Sequence, residues 1–253
     1  MVNRAEFLEK YEVEKPIFFA WGDYLVNSIK SQLIVCGIDI NTFLKIPVDV
    51  RIKENASIIA KAFFRKDKVG TRFVVLELSE INIIKQIIEA HEDWEISKDL
   101  DFESTREKKP ELFVYQSVHY IVRNCNIINH KGVAIPAGTP CEVQIRTLLQ
   151  HAYAELSHQT VYKSNTQIDP GIKRKLARSM ALIEATDELF KEVREDMIRL
   201  DRLFLSFVDA AKKLGRFPGY VESLNVSIFD SYRDIINSKN ITPENVEAFI
   251  NQK

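Results

Sequence analysis

Polar side chains occupy every second position in three separated stretches of this chain: Arg51 and Lys53; Tyr115, Ser117 and His119; Glu142, Gln144 and Arg146. Alternate residues of an extended strand share a side, so each stretch has one polar face. The residues between them, Val118 and Val122 in one case and Val143 and Ile145 in another, suit the underside of a helical layer. Such a chain has to build a sheet with one apolar, helix-covered face and one polar face. One polar stripe is ordinary solvated surface. Three that combine arginine, lysine, histidine, tyrosine and a carboxylate make a working surface for a phosphorylated, aromatic ligand. Guanidinium forks and ammonium charges match phosphate oxygens, and a tyrosine ring stacks on a base.

The rest of the first third alternates helix and strand. Trp21 to Cys36 carries Leu25, Ile29, Leu33 and Val35 at helical spacing, and Ile46, Val48, Val50 and Ile52 alternate as in a strand. Asn55 or Ser57 can open a helix bearing Ile58, Ile59, Ala62 and Phe63. Gly70 precedes a strand TRFVVLEL, and Ser79 is the expected cap of the helix EINIIKQIIEA. Lys98 to Pro110 reads as irregular charged chain, and Asn129 to Pro140, with Gly132, Pro136 and Gly138, as the loop joining two strands.

Beyond Thr147 the pattern is helical. Leu176, Ile183, Phe190, Met197 and Phe204 recur every seventh residue, with Val193 and Leu200 between the later ones. That seam suits a long helix packed on its own domain, or a seam between copies. Gly215, Pro218 and Gly219 stop the helix, and Thr242 with Pro243 starts a last short one. The expected architecture is α+β, a mixed sheet flanked by helices with a helical C-terminal extension. Residues 1–165 form the sheet domain, 166–215 the long helix and 216–253 a helical tail.

Absences narrow the chemistry. The sequence has no GxxxxGK[ST] loop, GxGxxG fingerprint, GxSxG elbow or HExxH pair. A formal charge of -1 gives no overall basic field for nucleic acid or anionic lipid. Cys36, Cys125 and Cys141 form no CxxC motif, the start has no apolar leader core, and no window is long enough to span a bilayer. These features predict a reduced, soluble, cytoplasmic protein. Metal-assisted phosphoryl chemistry would need carboxylates from separate strands, and Asp67 and Glu142 are the candidates for holding Mg²⁺. A competing zinc reading uses His151, Glu155, His158 and Tyr162, spaced to share one helix face.

Four blocks in series carry a resemblance. RIKENASIIAK (Arg51–Lys61), DKVGTR (Asp67–Arg72), YQSVHYIV (Tyr115–Val122) and EVQIRT (Glu142–Thr147) resemble the motifs of the RelA/SpoT alarmone synthetases in their compact, stand-alone form. The resemblance implies a nucleotidyltransferase-like synthetase fold and transfer of pyrophosphate from ATP to the 3′-hydroxyl of GDP or GTP. It implies that Arg51 and Arg72 sandwich the adenine and that Lys53, Ser57 and Lys61 hold the ATP phosphates. Asp67 and Glu142 would bind Mg²⁺, with Glu142 also orienting or deprotonating the attacking hydroxyl. Tyr115 would stack on the acceptor base, with His119, Gln144 and Arg146 ordering its phosphates and the strand network. His151 stands where many relatives carry an asparagine thought to read guanine. Val114 replaces a glycine, Glu111 lies where lysines are usual, and Tyr153 takes the place of a tryptophan.

The donor side therefore matches the family more closely than the acceptor side. Some relatives are toxins that act on adenosine nucleotides or tRNA 3′ ends and are countered by an antitoxin, and this is the first alternative. A nucleotide-sensing module without turnover, assembled through the heptad helix, is the second. The length and the lack of a His-Asp dipeptide predict a synthetase without the hydrolase and regulatory modules of the long enzymes.

Overall fold

The structure, a computed structural model, describes residues 4–53, 68–114, 116–158 and 169–213, together with positions 239 and 245. Its contacts gather into two compact units, Met1–Glu188 and Leu189–Lys253. The first unit holds a five-stranded mixed sheet. Strand β1 (Val50–Ile52) pairs antiparallel with β2 (Val69–Val75), which lies parallel to the central β7 (Pro140–Thr147). On the other side of β7 come β4 (Val118–Asn124) and the edge strand β3 (Trp94–Leu100), both joined antiparallel. A separate hairpin is made by β5 (Ile128–His130) and β6 (Val133–Ile135).

Helices cover the apolar face. In α1 (Arg4–Val35), Trp21, Leu25, Ile29 and Leu33 repeat every fourth residue and are buried, whereas Val35, the last residue of the helix, is exposed. Gly22 lets this helix lie close to β1, where an added Cβ would stand 2.6 Å from Val50 Cγ1. Trp21 Nε1 donates to the Val122 carbonyl at 3.2 Å, so the largest core side chain satisfies its polar atom on β4. After the short α2 (Ile40–Phe43), helix α3 (Leu78–Glu89) adds Ile81, Ile84 and Ile88. Beneath them lie Val69, Phe73 and Val75, Val118, Tyr120 and Val122, and Val143 and Ile145, all buried. The remaining helices are α4 (Phe102–Lys108), α5 (Leu148–Ser157) and α6 (Pro170–Lys213).

Several sequence expectations are corrected. Helix α1 begins at Arg4 and runs through Pro16 rather than starting near Trp21. The strand expected from Ile46 forms only from Val50, and the strand expected to include Ser117 begins only at Val118. Glu77, not Ser79, caps α3. Its carboxylate accepts from Ser79 N at 3.1 Å, while the Glu80 carboxylate accepts from Leu76 N at 2.8 Å and Glu77 N at 3.3 Å. The stretch from Lys98 to Pro110 holds the end of β3 and all of α4. Asn129 to Pro140 is not one loop. Lys131 (φ 49°) and Gly132 (φ 82°) turn the β5–β6 hairpin inside it. The helix expected at Asn55 or Ser57, the stop at Gly215–Gly219 and the Thr242 cap lie outside the described residues.

Within the first unit, α6 buries Met180 and Asp187 and half-buries Leu176 and Ile183. Past Glu188 the heptad positions Phe190, Val193 and Met197 are exposed. Among the described residues no helix is long and apolar enough to cross a membrane.

Candidate active site

The ladder registers place Arg51, His119, Glu142, Gln144 and Arg146 of the polar stripes on one face of one sheet, while Lys53 and Ser117 lie just beyond the strand ends. Arg51, Gly70 and Glu142 lie in one row across β1, β2 and β7; Arg72, Gln144 and His119 form the next across β2, β7 and β4; Arg146 follows beside Val74. The intervening rows, such as Thr71–Val143–Tyr120 and Phe73–Ile145–Val118, face the helices. Ser57, Lys61, Asp67 and Tyr115, and with them Tyr162 of the zinc reading, lie outside the described residues.

Glu142 is the floor of this face. It is 6% exposed, its Oε2 lies 3.4 Å from Lys53 Nζ and its Oε1 3.2 Å from His119 Nδ1. Gly70 stands opposite it in register, and a Cβ there would lie 3.7 Å from Glu142 Oε2. Glycine at this position thus keeps a side chain from packing over the carboxylate. Lys53 is set in turn by a residue that sequence reasoning missed. The Tyr11 hydroxyl donates to the Lys53 carbonyl at 2.7 Å, and Lys53 N donates to the Lys68 carbonyl at 3.2 Å. Burial, with Glu12 nearby, pushes the Tyr11 phenol up to about 12, so it stays a donor.

The other end of β7 is built by a capping box. Thr147 Oγ1 accepts from Gln150 N, Gln150 Oε1 accepts from Thr147 N, both at 3.1 Å, and α5 starts there. That helix projects His151 and Glu155 toward β2. Arg72 Nη1 pairs with Glu155 Oε1 at 3.0 Å, and His151 Nδ1 lies 3.9 Å from the same oxygen. Burial, then the guanidinium groups of Arg72 and Arg146, hold the His151 imidazole below the usual histidine range, so it is neutral at pH 7. Arg146 donates to Gln144 on the same strand.

Contacts from α6 and α4 brace the site from the side, and only the structure reveals them. Thr147 Oγ1 donates to the buried Asp187 Oδ2 at 2.8 Å. Gln116, next to Tyr115 in the chain, bonds Glu184 and accepts from Arg106 Nη2 at 3.0 Å. Arg106 also reaches Glu188 at 3.2 Å. Single charged residues on long helices carry no periodic signal, so the sequence did not single these out.

Glu142 offers the hard oxygen donor that a divalent cation prefers. The histidine-rich face of α5 fits zinc poorly, because Glu155 is committed to Arg72. Among the described residues no three His, Cys, Asp or Glu side chains gather to hold a metal. Chemically, the face is a cationic surface suited to phosphates, with one buried, two-sided carboxylate at its centre.

Comparison with known proteins agrees with this geometry. Residues 50–167 match the family model described as the region found in RelA / SpoT proteins. The chain is 24% identical over 131 residues to GTP pyrophosphokinase YwaC of Bacillus subtilis (strain 168), covering 52% of this chain and 59% of that relative's length. It is 25% identical over 159 residues to GTP pyrophosphokinase YjbM of the same organism, covering 58% of this chain and 71% of YjbM. The crystal structure of small alarmone synthetase 1 from Bacillus subtilis bound to its product pppGpp superposes with a TM-score of 0.60 at 22% identity. That superposition covers 74% of this chain and 98% of that one. Residues 50–167 thus match the RelA/SpoT region, and the chain shares the fold of the small alarmone synthetases.

Proposed function

We propose that this protein transfers pyrophosphate from ATP to the 3′-hydroxyl of GDP or GTP, making (p)ppGpp. The observation that carries the reading is Glu142, a buried carboxylate fixed between Lys53 and His119 on an otherwise cationic sheet face. Placed there, Glu142 can accept the proton of an attacking hydroxyl, while Lys53 neutralises phosphate charge and His119 holds the carboxylate's other oxygen. Arg51 and Arg72 present guanidinium planes to the donor base, with Ser57 and Lys61 on its phosphates. Tyr115, Gln144, Arg146 and His151 receive the acceptor. Asp67 and Glu142 are the residues that would hold Mg²⁺, which supplies charge neutralisation at the transferring phosphates. Such substrates place the protein in the cytoplasm. The exposed heptad residues Phe190, Val193 and Met197 support a role for α6 beyond Glu188 as a seam between copies.

The deciding experiment is a transfer assay with γ-labelled ATP and Mg²⁺, offering GDP, GTP, ATP alone and deacylated tRNA as separate acceptors. Label on a guanosine nucleotide, lost in Asp67→Ala, is the expected result. Binding of ATP with no transfer to any acceptor would overturn the enzyme reading in favour of a sensing module.

A second reading keeps the chemistry and changes the acceptor to an adenosine nucleotide or a tRNA 3′ end, with an antitoxin as partner. It is favoured by the neutral, half-buried imidazole of His151, which lacks the paired donor and acceptor of an asparagine amide. His151→Asn should therefore raise kcat/KM for GDP or GTP by about tenfold, the size of one good paired base contact. Competition between guanosine and adenosine acceptors measures this. An unchanged ratio would remove His151 from base selection.

A further inference from the structure

We infer that Glu155 is a positioning residue that fixes the Arg72 guanidinium for the donor base, an assignment that rests on the proposed ATP-dependent reading. The polar face is rich in cations, with Arg51, Arg72 and Arg146 on three strands and Lys53 just past the end of β1. Glu142 lies between Lys53 and His119, and the carboxylate that pairs with Arg72 is a different one. Glu155 does this from outside the sheet, reaching across from α5 to Arg72 Nη1 at 3.0 Å.

Three features separate this pair from an ordinary surface ion pair. Arg72 springs from β2 in register with Gln144, at the centre of the face. Its Nε is buried and, among the described residues, has no hydrogen-bond partner, so the terminal bond to Glu155 is what fixes the guanidinium plane. Finally, His151, which could compete for the same carboxylate oxygen, stands 3.9 Å away, beyond hydrogen-bond reach. The Glu155 side chain is 46% exposed, and a pair that open to water contributes little to stability. Its effect is to order a flexible arginine before the ligand arrives, which lowers the ordering cost on binding.

The test is calorimetric binding of a non-hydrolysable ATP analogue, together with steady-state kinetics, for the whole chain carrying Glu155→Gln, Glu155→Ala, Arg72→Ala or both changes. Both Glu155 variants should bind the analogue about five- to tenfold more weakly, an effect expected when one long side chain loses its preordering. The KM for ATP should rise in step, while the acceptor KM and the thermal midpoint hold. With Arg72→Ala present, the Glu155 change should have no further effect. If the native protein binds the analogue and the Glu155 variants bind it equally well, the assignment fails and the proposed activity stands. An effect confined to acceptor KM would also overturn it, by moving Glu155 to the other subsite. A native protein that binds no ATP analogue would instead sink the proposed function, and this inference with it.

Discussion

Replacing Glu142 with glutamine should lower kcat for pyrophosphate transfer by about a thousandfold, within the range expected for loss of a positioned general base. The substitution keeps the side-chain volume and removes only the charge that sits between Lys53 Nζ and His119 Nδ1. The amide can still bond one neighbour, so the fold should lose no more than about 1–2 kcal/mol. The KM values should change far less than kcat, because a proton acceptor acts in the transition state rather than in ground-state binding. Initial rates at saturating substrate, with circular dichroism as the fold control, measure both. Activity within tenfold of the native protein would remove Glu142 from the chemistry.

Asp187 should make stability depend on pH in the direction opposite to an ordinary surface carboxylate. Burial pushes its carboxyl from 3.8 up to about 6, against the opposing hydrogen bond from Thr147. Below about pH 4 both the folded and unfolded forms hold the proton, and the group costs nothing. Between about pH 4 and 6 the unfolded chain releases this proton while the folded state keeps it buried, so by pH 6 the folded state has lost about 3 kcal/mol relative to the unfolded chain. Asp187→Asn keeps an oxygen for the Thr147 hydroxyl and abolishes the titration. The stability difference, variant minus native, should therefore grow by about 3 kcal/mol between pH 3 and pH 7.5. Urea unfolding at the two pH values measures it, and the subtraction removes opposing carboxylates such as Asp23, held low by its hydrogen bonds to Lys131 and His130 despite burial. A difference that does not change with pH would show that Asp187 is not buried as an acid.

The polar face was legible because period-two alternation survives wherever one side of a strand is buried, as in Glu142–Gln144–Arg146 and in Arg51–Lys53. Edge strand β3 was not. Glu95, Ser97, Lys98 and Asp99 place charged or polar residues on both of its sides, and all are exposed; such an edge reads as loop. Helix α1 was legible only where Trp21, Leu25, Ile29 and Leu33 form a stripe, since its first turns carry charges and Pro16. The α3 cap was misplaced by two residues because a glutamate did the work usually given to serine. Glu155 was visible in the sequence as part of a histidine-rich helix face. Its bond to Arg72, 83 residues away in the chain, needed the tertiary fold.

The position of β7 has a consequence for how this protein comes off the ribosome. The strand that fills the middle of the sheet is made last, after β1 and β2 on one side and β3 and β4 on the other. Until it emerges, those two pairs have no ladder in common, and each exposes the edge that β7 will later occupy. A nascent chain ending before Pro140 already contains Arg72 and His119, yet holds them on separate fragments without Glu142 between them. Completion of the sheet and assembly of the reactive surface are therefore the same event, a long-range closure that waits for the last of the five strands.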